Sequence, residues 1–145
     1  RSLIGKVNSK DKLLILAALY WGEGNKTELN LNNSDPLLIK VFVDCLCEIG
    51  VDRRDLKVSL RLYESINEKA AIKFWSNLLK IKPNDILSIN RIPGKKKGKL
   101  KYGMCRIRVK KGGPHFKLIM SMINLIKSDF NAAVVQWIEQ DTPNV

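Results

Sequence analysis

Apolar positions along the chain alternate between two spacings. Residues 11–22 (DKLLILAALYWG) repeat with helical spacing: Leu13, Leu16, Ala17 and Tyr20 share one stripe, and Leu14 and Ala18 widen it. Gly22 and Gly24 close that helix. Residues 27–32 (TELNLN) alternate, which predicts a strand with Leu29 and Leu31 inward and Glu28, Asn30 and Asn32 outward. Asn33-Ser34-Asp35-Pro36 is a helix start, with Asp35 as N-cap and Pro36 at the first helical position. The helix that follows carries Leu38, Phe42, Cys45, Leu46 and Ile49 inward and stops at Gly50.

Residues 56–63 (LKVSLRLY) alternate again, with Leu56, Val58, Leu60 and Leu62 on one face and Lys57, Ser59, Arg61 and Tyr63 on the other. Ser65 and Glu68 have the spacing of a capping box, opening a helix to about Ile81 with Ala71, Phe74, Trp75, Leu78 and Leu79 on its apolar side. Residues 85–92 and 103–110 predict two further strands, the second with Cys105, Ile107 and Val109 inward and Arg106, Arg108 and Lys110 outward. Gly112-Gly113-Pro114 breaks it, and residues 115–127 form a last helix. The order is α-β-α-β-α-β-β-α, an α+β chain without an internal repeat. Its strands keep one apolar face for the helices and one polar, basic face free.

Charge sharpens that picture. The 145 residues carry a net +12 at a sequence pI of about 9.8, an excess that favours a polyanionic partner, with nucleic acid first among them. A β-ribbon can enter the major groove and present side chains to base edges, so a cationic open sheet face is a DNA-reading surface. No uninterrupted apolar run reaches the roughly 18 residues of a membrane span, and residues 1–12 do not form a signal peptide. No membrane partner is expected. The first residue is Arg1, which leaves room for an upstream segment. Three cysteines, Cys45, Cys47 and Cys105, without a secretory segment argue for reduced thiols in a cytoplasmic, bacterial-type setting. One histidine, His115, cannot support a zinc pattern and is most simply a helix-start residue.

The chemistry-bearing segment is residues 16–24, Leu-Ala-Ala-Leu-Tyr-Trp-Gly-Glu-Gly. It resembles the nine-residue signature of the LAGLIDADG homing endonucleases. Leu16, Ala17, Leu19 and Gly24 are identical to it, Ala18 and Gly22 are small-for-small exchanges, and Tyr20 and Trp21 depart from it. Glu23 stands where that family places its metal-binding acid. The resemblance implies a mixed four-stranded sheet with helices on one face and a basic open face for DNA. It also implies Mg²⁺ or another divalent cation as cofactor, with Glu23 both catalytic and metal-binding. A helix is expected between the first strand and residues 56–63, where the family core, αββαββα, has two strands in succession.

In that family two motif helices pack side by side, which assigns Leu16, Ala17, Ala18, Tyr20 and Gly22 to a dimer interface. A chain with one motif copy implies a homodimer on a near-palindromic duplex. The residues expected at the DNA are Lys26, Asn30 and Asn32, then Lys57, Ser59 and Arg61. The lysine-rich loop adds Lys95, Lys96, Lys97, Lys99 and Lys101, and the last strand Arg106, Arg108 and Lys110. Loop lysines would grip phosphates and add affinity without sequence information. Trp75 and Trp137 are read as packing residues.

Other readings stay open from the residues themselves. The leucine–alanine stripe is also that of an ordinary core helix, with Glu23 a solvated end residue paired with Lys26. On the same scaffold, a non-cleaving DNA-binding regulator and an intron RNA maturase are the alternatives to a nuclease. Residues 132–145 (AAVVQWIEQDTPNV) differ in character from residues 1–131. They resemble the peptide obtained when a bacterial tRNA gene is translated, which would suit a mobile element lodged beside such a gene. The alternative is a plain C-terminal helix.

Overall fold

The computed structural model describes residues 3–94 and 101–141. Its elements follow the expected order: α1 (Ser9–Glu23), β1 (Asn30–Asn33), α2 (Pro36–Glu48), β2 (Leu56–Tyr63), α3 (Glu68–Leu79), β3 (Ile86–Ile92), β4 (Met104–Val109) and α4 (Gly113–Asp141). The strands form one mixed sheet in the order β1-β4-β2-β3, antiparallel at β1/β4 and β4/β2 and parallel at β2/β3. The parallel pair needs a crossover, and α3 supplies it.

All four helices meet the same face of the sheet. Leu16, Ala17 and Tyr20 of α1 join Ile39, Phe42 and Leu46 of α2, Ala71 and Trp75 of α3, and Ile119 and Ile123 of α4. The sheet contributes Leu31, Val58, Leu60, Leu62, Cys105 and Ile107 to the same core. The alternation of β2 is therefore as expected, and the opposite face is left open.

Helix ends follow local chemistry. Asp35 caps α2, accepting from the amides of Leu37 and Leu38. Asn8 and Asp11 form a capping box that starts α1 ahead of the expected boundary. The Ser65–Glu68 box does not form. The Ile66 amide is turned back onto the Tyr63 carbonyl, and Asn67, accepting from the Ala70 amide, caps α3 instead.

Strand β1 starts at Asn30, because Asn25 organises residues 25–28 into a turn. Its Oδ1 accepts from the Thr27 and Glu28 amides and the Thr27 hydroxyl. Between Lys127 and Asp141 there is no glycine or proline, and α4 runs on through the boundary expected at residue 131. Gly113–Gln140 is long and apolar enough, on average composition, to cross a membrane, although its first half packs in the core through Ile119 and Ile123. The far half is different: Phe130 is 70% and Trp137 63% exposed, so Trp137 is not a packing residue.

Strand β3 resolves a parity problem. Ile86 and Ile89 are three apart, so a regular strand would send them to opposite faces. A bulge opposite the Val58–Ser59 step leaves Leu87 outside the register, pairing Ile86 with Val58 and Ser88 with Ser59. Ile86 and Ile89 then both face the helices, and Ser88 and Asn90 both face outward.

Candidate nucleic-acid interface

The open face is built from cross-strand rows. Asn32, Arg106, Ser59 and Ser88 stand in register across all four strands. The row to one side is Asn30–Arg108–Lys57, and on the other side Met104, Arg61 and Asn90 align. Strand spacing of about 4.8 Å brings these side chains into lateral contact. Arg106 Nε donates to Asn32 Oδ1 at 2.9 Å, and Ser88 donates to the Ser59 hydroxyl at 3.1 Å. Asn32, Ser59, Arg61, Ser88, Asn90, Met104, Arg106 and Arg108 line one concavity of about 160 Å³.

The structure thus brings together five of the residues expected at the DNA: Asn32, Ser59, Arg61, Arg106 and Arg108. Lys57 joins them by register. Ser88 and Asn90 were missed by sequence reading, and the three-residue spacing of Ile86 and Ile89 was the signal that could have found them.

Ion pairing separates the arginines of this face from the other described arginines. Arg53 pairs with Asp44 at 2.7 Å, Arg54 with Asp52 at 2.9 Å and Arg91 with Glu68 at 3.4 Å. Among the described residues, Lys57, Arg61, Arg106 and Arg108 have no carboxylate within ion-pair distance. Adjacent uncompensated positive charges on one face repel one another, so the surface is poised for an anionic ligand.

Other expected residues lie elsewhere. Asn30 is not an outward-facing reader. It is only 9% exposed, because the 25–29 turn folds over it, with Asn25 N–H donating to Asn30 O and Asn30 Nδ2 reaching Glu28 Oε1. Lys110 is exposed, follows the end of β4, and donates its amide to Asp55 O at 2.7 Å. Lys101 is exposed, with its ammonium over the Tyr102 ring. Lys95, Lys96, Lys97 and Lys99 lie outside the described residues.

The assignment of the motif helix to an interface also changes. Leu16, Ala17 and Tyr20 are fully buried in the chain's own core, spent against α2 and α4, and cannot meet a partner. Leu14 and Ala18, expected to widen the buried stripe, face out instead. With Trp21 and Gly22 they make an exposed stripe at helical spacing, Leu14 at 48% and Trp21 at 43%.

Tyr20 instead holds the turn that follows α1. Its hydroxyl lies 2.5 Å from Asn25 O and 2.6 Å from Glu28 O, and it accepts from the Asn30 amide. Burial pushes the phenol above its ordinary value, the Glu28 carboxylate adds to the rise, and the Asn30 hydrogen bond opposes it. Gly24 is explained by the same ring: a Cβ there would lie 2.4 Å from two Tyr20 ring carbons.

Glu23 ends α1 and is exposed, with Oε2 3.5 Å from Asn33 Nδ2 of β1. A backbone bridge from Gly24 to Leu31 ties this corner to the β1 edge of the sheet. Glu23 forms no ion pair with Lys26. The Lys26 ammonium donates to Gly24 O at 2.6 Å and Tyr20 O at 3.1 Å, capping the negative end of the helix. Among the described residues no three His, Cys, Asp or Glu side chains cluster as metal ligands. Mg²⁺ is commonly held by one or two carboxylates together with waters and phosphate oxygens. Glu23, exposed at the end of α1, is one carboxylate of the kind such a site uses.

Comparison with known protein families, with curated proteins and with solved structures found no match.

Proposed function

We propose that the protein is a site-specific, divalent-metal-dependent DNA endonuclease of the LAGLIDADG homing type, acting as a homodimer on a near-palindromic duplex. The observation that carries this reading is that the arginines without an ion pair, Arg61, Arg106 and Arg108, all stand on the open sheet face, where every described arginine elsewhere is paired. Arg61 and Arg108 would contact phosphates, with Arg106, Asn32, Ser59, Ser88 and Asn90 among the base edges.

The exposed stripe Leu14, Ala18, Trp21 and Gly22 supports association of two copies along α1. Ala18 and Gly22 permit close approach, and burial of Leu14 and Trp21 supplies the driving force. Glu23 ends the same helix, so a two-fold pairing there brings two carboxylates toward one centre. The two copies of Glu23 would hold the cation, which when bound stabilises the attacking and leaving oxygens of an in-line phosphodiester displacement. The chain's own contribution is to grip the duplex in one register and present the carboxylates to it.

The test is cleavage of a DNA library by wild type and Glu23→Gln, in Mg²⁺ and in Ca²⁺. Specific double-strand cuts in Mg²⁺, lost in the variant while binding persists, are expected. The single carboxylate per protomer favours one other reading, a DNA-binding regulator without cleavage. Tight specific binding by wild type with no cutting under any metal would select it.

A further inference from the structure

Three arginines stand on the open face, and they are not equivalent. Among the described residues Arg106 alone of the three has a side-chain partner: its Nε donates to Asn32 Oδ1 at 2.9 Å. Asn32 lies directly opposite it in the β1/β4 register, so the backbone ladder holds donor and acceptor in place. With Nε committed, the plane of the guanidinium is set, and Nη1 and Nη2 have no partner among the described residues. Two parallel N–H donors on a fixed plane match the O6 and N7 acceptors of guanine in the major groove. The neighbours favour an approaching base: Ser59 is short, and its hydroxyl oxygen already accepts from Ser88. Strand β4 lies inside the sheet, so Arg106 sits toward the middle of the surface. Arg61 and Arg108 are exposed and have no side-chain partner among the described residues. Exposed guanidiniums without such a hold suit phosphates, which carry no sequence information.

We infer that Arg106 is a specificity-determining residue that reads a guanine at one position of each half-site, and that Asn32 is its positioning residue. The inference rests on the duplex-DNA reading above. Ordering an arginine costs side-chain entropy on binding, and a guanidinium already held by Asn32 has lost part of it in the free protein.

The experiment is selection of bound duplexes from a random library in Ca²⁺, with wild type, Arg106→Met, Asn32→Ala and Arg61→Met, each followed by binding across a salt series. Wild type is expected to enrich sites sharing one guanine per half-site. Arg106→Met, which has no donor, loses the preference at that position by about 5- to 150-fold, the equivalent of one bidentate pair. Asn32→Ala weakens the same preference with an unchanged salt slope, and Arg61→Met lowers the slope and leaves the preference intact. Retention of the guanine by Arg106→Met, or its loss in Arg61→Met instead, overturns the inference while leaving DNA binding standing. If wild type enriches no duplex, or RNA displaces duplex DNA, the reading beneath it fails as well.

Discussion

Replacing Arg61 and Arg108 by glutamine together tests whether the open face is a polyanion surface or merely a solvated one. Each replacement removes one positive charge and breaks no ion pair or side-chain hydrogen bond among the described residues. Both side chains are exposed, so fold stability should change by no more than about 0.5 kcal/mol. If each arginine neutralises one phosphate, each contributes about 0.9 to the slope of log K against log salt. Two per protomer make about 3.6 in a homodimer and about half that in a monomer. A difference of 3.6 means that from 50 to 200 mM salt wild type loses roughly 150-fold more affinity than the variant. Fluorescence anisotropy with a labelled duplex across that range reads the slope directly. The control is Arg53→Gln, which breaks the Asp44 pair and the bond to Leu79 O. It should lower Tm and leave the slope alone. Equal slopes in wild type and the Arg61/Arg108 variant would refute the reasoning.

Other consequences are independent of DNA. Gly24→Ala pushes a methyl against the anchored Tyr20 ring at 2.4 Å. It should cost about 1–3 kcal/mol and lower Tm by several degrees, and a Tm equal to wild type would remove the packing account of this glycine. The Cys105 thiol is held well above its ordinary 9.0 by burial, and Tyr20 above its ordinary 10.0 by the same cause. Groups with raised folded-state values bind protons more tightly folded than unfolded, so their stabilisation is complete below pH 9 and is lost as pH climbs past it. Tm of the reduced protein should therefore fall between pH 9 and 11, less steeply in Cys105→Ala; parallel curves would contradict this. Ending the chain at Asp129 removes the exposed Phe130, Val134 and Trp137, and Tm should stay within about 2 °C. A drop beyond 5 °C would mean that this half of α4 packs on something.

Legibility of the fold varied with how local its causes were. The alternation in Leu56–Tyr63 and the Asp35-Pro36 start needed only near neighbours, and both stand as read. The Ser65 cap and the first residues of β1 failed because the determining partners, the Tyr63 carbonyl and the Asn25 side chain, compete through turns that periodicity does not register. On α1, Leu14 and Leu16 look alike in sequence. Which of them is buried depends on where α2 and α4 pack.

The sequence alone determined the element order, the apolar face of β2 and β4, the surplus of positive charge, and an acid at the end of the first long helix, because each follows from residue type and spacing within a few positions. Only the tertiary structure decided which side chains share the open face. Register is a long-range property: Asn32, Arg106, Ser59 and Ser88 are far apart in the chain, and the ladder and the Leu87 bulge alone align them. Tertiary contact likewise decided that Arg53 and Arg91 are neutralised, by Asp44 and Glu68, while Arg61, Arg106 and Arg108 meet no carboxylate among the described residues; Arg54 alone is cancelled by a near neighbour in sequence, Asp52.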